Sequence, residues 1–581
     1  MEKMNLKKYI AAHRVSYIIA FTAMLLSVSL DMLSPQLIRH IIDDVIIGGK
    51  QELLAAFLFG ILGIGIGRCV FQYTKEYLFD VTGSEIAGEL RRDLFRKIQS
   101  LSADFFDRVN SGELMSRVKD DIDRIWDGLT YIGMLTIEVI VHTIIVLYCM
   151  YSLSWKLAVL PTAGMLAAAV VAIIMEKKLG TVYEDIAQEN SVLNNTAAEN
   201  LAGVRTVKAF AREKFEIGKF FGHNRHYYDL NLRQSRIFVA YYPFLQSITH
   251  LLPFLVMLPG GYMVIKKTMT LGELTAFVQY SMNIVWPMEM LGWLTNGISS
   301  ARASAKRIQK IYAEVPQIAE DRFPVRLPAV KGEIEFSHVS FAGDHIHDIL
   351  HDISFHVQAG STIGIMGATG AGKTTVINLL KRMYDATGGV IKLDGVDIRK
   401  LGLSQLRTSI ACVMQDVFLF SDTISDNVKL GRKNRLNMCA VKKAVQSAHA
   451  DDFVEKMEAQ YNTVIGERGV GLSGGQKQRL TIARALSSTA PVLVFDDSTS
   501  ALDTETEQHI QQTLEKLQGV TKIIIAHRIS AVRTADEIIV LDKGSVAERG
   551  THDQLLAKKG LYYTTYQTQY GACLREHHHG R

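Results

Sequence analysis

The chain has 581 residues, too many for one ordinary domain, so two are expected. It is 48% hydrophobic with a net charge of +5, a small excess that gives no sign of a nucleic-acid partner. Its five cysteines (Cys69, Cys149, Cys412, Cys439 and Cys573) are odd in number and scattered, which excludes a disulfide framework and metal-ligand spacing and suits a reduced, cytosol-facing catalytic half.

Apolar residues concentrate before about Val315. Six runs there are long enough to span a bilayer, which takes about 20 residues each: Val15–Ile38, Leu53–Phe79, Leu129–Leu153, Lys156–Met175, Ile237–Ile265 and Leu274–Ile298. The first is too long for a signal peptide and lacks a small-residue cleavage site. Short loops join runs one to two, three to four and five to six; long polar stretches join the others. The first long stretch carries Arg91, Arg92, Arg96, Lys97, Arg108, Arg117, Lys119 and Arg124, and the second Lys208, Arg212, Lys214, Lys219, Arg225, Arg233 and Arg236. Positive loops stay in the cytoplasm, so both stretches, both termini and the C-terminal half are expected there. The spacing of Leu90, Leu94, Ile98 and Leu101 predicts spans that continue as helices below the membrane. Phe105-Phe106-Asp107 reads as a turn, followed by a helix start at Ser111–Leu114, and Ala197–Arg212 as a second turning segment. Asp31, Arg68, Glu138 and Glu289 put charge inside spans, where it faces a cavity or a partner. Met282, Met288, Glu289, Met290 and Trp293 cluster beside Pro287; they read either as helix packing or as an adaptable cavity wall for an amphipathic, cationic substrate.

The C-terminal half reads as soluble α/β. Strand-like Ile334–Phe341, Asp352–Val357 and Ile363–Met366 lead into a phosphate loop made of Gly367, Ala368, Thr369, Gly370, Ala371, Gly372, Lys373 and Thr374, with Thr375 following. Glycines let the backbone approach the phosphates of ATP, Lys373 reaches the β- and γ-phosphates, and Thr374 offers a hydroxyl to Mg²⁺. Val492–Asp496 is a buried strand ending in a carboxylate, the expected Mg²⁺ partner.

Leu472 and Ser473, Gly474, Gly475, Gln476 match the signature of the ABC ATPases. Phe-Phe-Asp-Arg-Val-Asn-Ser-Gly-Glu-Leu-Met-Ser-Arg-Val from Phe105 and Glu-Asn-Leu-Ala-Gly-Val-Arg-Thr-Val-Lys-Ala-Phe from Glu199 resemble the exporter family that includes the bacterial lipid flippase and the multidrug pumps. The resemblance covers nearly the whole chain. It implies an all-α six-helix transmembrane domain (1–315), a linker (316–330), an α/β P-loop ABC ATPase domain (331–570) and a tail (571–581). It also implies coupling helices at the two turning segments and ATP held between two ATPase domains. By the same resemblance Gln415 is the glutamine-loop residue that touches Mg²⁺, Ser500–Asp503 the dimer-contact loop, His527 the γ-phosphate switch, and Gly466–Gly469 an exporter-type loop.

Two residues depart from the family pattern. The base after Asp496 is usually Glu; here it is Asp497, one methylene shorter, and a displaced base can cost about 10²-fold in rate. This is either a tolerated swap or a degenerate ATP site of the kind found in one subunit of a heterodimer. The usual adenine-stacking Tyr is Gly343, leaving either Phe341 or His345 as substitutes or a lower nucleotide affinity. The expected protein is an exporter half-transporter in the bacterial cytoplasmic membrane. It would work with a second half, a different chain by preference or another copy, on a drug, lipid or peptide; the alternative is an ATP-binding regulatory subunit with little turnover. The tentative substrate residues are Glu289, Met282 and Met290. DNA-repair ATPases share the signature but lack spans, and a peptide-processing exporter would need a protease domain before Val15.

Overall fold

A computed structural model describes residues 6–343, 347–430, 436–498 and 502–578. The chain divides into two compact units, one made of Met1–Ser100 and Val109–Val315, the other of Leu101–Arg108 and Pro316–Arg581.

The first unit is helical. Its principal helices are α1 (Arg14–His40), α2 (Leu54–Gln99), and, past the short helix α3 (Ala103–Arg108) of the other unit, α4 (Tyr131–Leu153), α5 (Trp155–Ala202), α6 (Val204–Ala209), α7 (Glu213–Ile265), α8 (Leu271–Asn283) and α9 (Val285–Ala313). Helix α2 has 46 residues, α5 48 and α7 53. At about 1.5 Å per residue these run roughly 70–80 Å, more than twice a hydrocarbon core of about 30 Å. The two ends of α2 differ accordingly. Phe59, Leu62 and Ile66 are exposed, as suits contact with lipid, whereas Ile86, Leu90, Leu94 and Ile98 are buried against neighbouring helices.

Among the described residues five helical stretches are long and apolar enough to cross a membrane: Arg14–Ile47, Gln51–Gln99, Ser111–Leu153, Trp155–Ala202 and Glu213–Ile265. The sixth expected span is divided into α8 and α9, which meet at Ile284. The physical cause is Pro287. Its nitrogen carries no hydrogen for the carbonyl of Asn283, and its ring crowds that carbonyl. The Phe105–Asp107 turn is also corrected. These residues lie inside α3, with Phe105 buried, and the chain turns at Val109–Asn110 instead. Asn110 then caps the next helix by accepting from the Gly112 N–H at 2.8 Å.

The second unit holds two sheets. β1 (Ile334–Gly343), β2 (His347–Val357), β4 (Gly388–Leu393) and β5 (Val396–Asp397) form an antiparallel sheet in the order β2-β1-β4-β5. β3 (Thr362–Gly367), β6 (Ile410–Val413), β7 (Val492–Asp496), β8 (Thr521–Ile525), β9 (Glu537–Asp542) and β10 (Ser545–Gly550) form the other, ordered β10-β9-β3-β8-β7-β6. All its pairings but β10–β9 are parallel. Parallel strands are covered on both faces, which explains the unbroken apolar run of β7, buried at every position. The carboxyl ends of β3, β8 and β7 therefore lie side by side, where such sheets bind ligands.

Candidate functional site

The phosphate loop leaves β3 at Gly367 and enters α10 (Lys373–Leu380). Gly372 has φ +94°, and a Cβ there would come within 2.4 Å of Leu350 Cδ2, so both backbone and space require glycine. Lys373 is buried, and its Nζ donates to the main-chain oxygens of Gly367 and Ala368, each at 2.8 Å. Burial pushes its ammonium below the usual lysine value, against the opposing pull of Asp496 and Asp497. A lysine held this way keeps its charge at the mouth of a loop of backbone N–H groups, a ready anion site.

Asp496 ends β7 and is almost fully buried. Burial raises its carboxyl, while a hydrogen bond from the Thr374 hydroxyl and the charges of Lys373 and His527 pull it back down. Its Oδ2 is buried without a hydrogen-bond partner among the described residues. An orphaned carboxylate oxygen beside Thr374 fits a cation, and Mg²⁺ bound with ATP would neutralise charge on the β- and γ-phosphates there. Gln415 is exposed two residues beyond β6, the strand paired to β7, so it stands at the same edge.

Asp497 follows at φ +44°, a left-handed conformation that Asp tolerates better than most residues. Its N–H donates to Ile525 O at 2.9 Å, tying it to β8. His527, exposed, lies just past β8, and its main-chain oxygen accepts from Gln569 Nε2 at 2.7 Å. One edge of the sheet thus gathers Lys373, Thr374, Asp496, Asp497, His527 and Gln415. Asp503 caps the helix Thr504–Glu515, accepting from the Thr506 N–H at 3.2 Å, and that contact lowers its carboxyl. Ser500 and Ala501 lie outside the described residues, as does His345.

The signature stands apart. Ser473 caps α11 (Gly474–Ser487): its Oγ accepts from the Gln476 N–H at 3.3 Å, and Gln476 Oε1 accepts from the Ser473 N–H at 2.9 Å. Ser473 and Gly474 are exposed, and among the described residues no hydrogen bond or ion pair links Ser473–Gln476 to the phosphate loop.

Residues 17–288 match the family model of the ABC transporter transmembrane region, and residues 350–500 match that of the ABC transporter. An uncharacterized ABC transporter ATP-binding protein of Bacillus subtilis, YknU, is 35% identical over 570 residues, 97% of both chains. The chain belongs to the ABC exporter family. This exporter is also 33% identical to the ATP-dependent lipid A-core flippase of Syntrophus aciditrophicus, over 97% of this chain and 94% of the flippase. Its fold superposes on a bacterial Atm1-family ABC exporter with ATP bound, with a TM-score of 0.83 at 27% identity, covering 96% and 99% of the two chains. It is a half-transporter: a helical membrane domain fused to an ATPase that drives transport.

In the exporter's membrane unit the methionine cluster separates. Met282 lines a cavity of about 420 Å³ with His250, Phe254 and Met257, whereas Met290 packs with Ala20, Phe79 and Leu135. Glu289 is half-buried and accepts from Gln246 Nε2 at 3.4 Å. Arg68 pairs with Asp31. The residue sequence reasoning missed is Lys75, fully buried, whose Nζ donates to Glu138 Oε2 at 2.8 Å and Gln72 Oε1 at 3.0 Å. A lysine inside the second apolar run, with an unassigned Glu138 elsewhere, was the available signal.

Proposed function

We propose that this exporter moves an amphipathic substrate across the cytoplasmic membrane as one half of a dimer, with its ATPase and both termini in the cytoplasm. Each ATP would lie between the phosphate loop of one half and the signature of the other. The observation that carries this reading is the exposed, self-capped N-terminus of α11. The first-turn N–H groups of Gly474 and Gly475, outside the capping pair, and the helix dipole suit a γ-phosphate brought by another chain. Lys373 and the Mg²⁺ held by Thr374, Gln415 and Asp496 would stabilise charge as water attacks in line, with Asp497 as base and His527 at the γ-phosphate. Closing of the ATPase pair would turn the membrane cavity outward, and hydrolysis would reset it.

A second half of different sequence is the preferred partner, because Asp497 supplies a short base on a left-handed backbone while Ser473 and Gln476 are intact. This half would then turn over slowly at its own phosphate loop and complete a faster site on the partner. Glu289, mid-membrane, favours cationic cargo.

The test is ATP-dependent uptake of a cationic amphipathic dye into inside-out vesicles carrying the exporter and a candidate partner. Uptake that disappears in Lys373→Ala supports the reading. Uptake equal with and without ATP contradicts it.

A further inference from the structure

Beside the phosphate loop lies a second feature that the transport cycle described above does not use. A cavity of about 780 Å³ is lined by Thr375 and Asn378 of α10, just past the loop. The nucleoside of a nucleotide whose phosphates sit on Gly367–Thr374 must run past these two residues. The walls come from Phe341, Gly343 and Ile349 on one side and Tyr384 on another. The remaining wall is α3, which contributes Asp104, Asp107 and Arg108. This helix lies in sequence between membrane segments yet belongs to the ATPase unit.

β1 carries no ring at the position expected to stack on a base. Residue 343 is glycine, and Phe341 is packed onto the core of the unit, with its ring centroid 5.6 Å from that of Tyr384. Polar side chains line it on several sides, among them Thr375, Asn378 and Asp385, and α3 adds two carboxylates and a guanidinium. Tyr384 Oη donates to Asp107 Oδ2 at 2.6 Å, and its phenol is pushed up to about 12 by burial and by Asp107. Arg108 donates from Nε to Asp104 O at 3.2 Å and from a terminal nitrogen to Asp104 Oδ2 at 3.1 Å, which fixes the guanidinium plane at the rim. A planar cation held in place can stack on a purine, and the carboxylates of Asp104 and Asp107 accept from its exocyclic amine.

We infer that the purine base of bound nucleotide is recognised by α3, through Arg108, Asp104 and Asp107, in place of an aromatic residue from β1. The inference rests on the assignment of Gly367–Thr374 as the phosphate site. It makes base binding itself, and not the phosphates alone, a contact with the segment that joins α2 to the following membrane helices.

Equilibrium binding to the purified full-length exporter in lipid nanodiscs tests this, using labelled ATP displaced by unlabelled ATP or by inorganic tripolyphosphate. Arg108→Ala is expected to weaken ATP binding about tenfold, between the sizes of an exposed and a desolvated cation–π contact, and to leave displacement by tripolyphosphate within about twofold. In a Gly343→Tyr background, where the added Cβ would meet the Ile349 methyl at 2.8 Å, ATP should bind more tightly and Arg108→Ala should cost less than about threefold. Unchanged ATP affinity in Arg108→Ala, or equal loss for ATP and tripolyphosphate, would overturn the inference. Lys373→Ala serves as the control. If it leaves ATP binding intact, the phosphate site itself is misassigned; if it abolishes binding while Arg108→Ala does nothing, only the role of α3 fails.

Discussion

His142 Nε2 donates to the main-chain oxygen of Asn283 at 3.1 Å, and Asn283 lies four residues before Pro287, which has no N–H to offer that oxygen. The side chain of α4 thus replaces a helical hydrogen bond lost between α8 and α9. In a hydrocarbon environment a backbone carbonyl without a partner is costly, so the break persists only because another helix satisfies it.

Replacing His142 by Phe should therefore strand the Asn283 carbonyl, at a cost of about 1–3 kcal/mol. Thermal unfolding in detergent should fall by roughly a few degrees. His142→Gln keeps a donor and should recover part of the loss. Pro287→Ala in the His142→Phe background should recover most of it, by returning an N–H to the helix. Failure of the second replacement to recover stability would show that His142 acts through packing, for example on Trp286, whose ring lies 5.8 Å away.

Lys75 and Glu138 form a buried pair between α2 and α4. Removing one partner leaves a buried charge, which typically costs about 3–5 kcal/mol, whereas replacing both with apolar residues is often neutral. Lys75→Met is expected to lower folded yield sharply, and Lys75→Met combined with Glu138→Leu to restore it. If the double replacement folds but abolishes transport, the pair serves the transport cycle as well as folding. If it folds no better than Lys75→Met, the electrostatic account of the pair is wrong.

Asp497 and Ser473 should differ in their effects. Asp497→Glu lengthens the base by one methylene but places Glu on a left-handed backbone, which costs roughly 1–2 kcal/mol, so a modest rise in turnover at this site is expected. Ser473→Ala removes a helix cap worth about 1 kcal/mol and, on the proposed function, would also remove a phosphate contact of the partner's site. Steady-state ATPase of the assembled pair should fall more in Ser473→Ala than in Asp497→Asn. Equal losses would remove the asymmetry between the sites.

Glu289→Gln removes a charge while keeping size. Transport of cationic dyes should weaken and that of neutral ones should stay nearly unchanged, with ATP binding intact. Equal loss of both classes would assign Glu289 to helix packing through Gln246.

Much of this was legible in the residues. Leu90, Leu94 and Ile98 are buried because a 3.6-residue period puts them on one face of α2, whereas Leu101, also buried, lies past the helix end and belongs to the other unit. Val492–Asp496 forms a strand over the span read from its unbroken apolar run. The phosphate loop falls between a strand and a helix, as its glycines require. What was hidden depended on tertiary contact. Pro287 was visible, but not that His142 would allow the helix to break there. Phe105–Asp107 looked like a turn because six residues show too little periodicity to mark a helix. Lys75 was hidden inside a run judged by its apolar average, and its partner lies on another helix.

The most direct test of the unequal-site account is steady-state ATPase of the purified exporter in lipid bilayers, alone and assembled with a second half-transporter that carries Glu after its own strand-ending Asp. The account predicts slow hydrolysis by the lone chain and a large increase on assembly, with the increase lost in Ser473→Ala. Robust substrate-stimulated ATPase from the lone chain, unaffected by the second half, would contradict it.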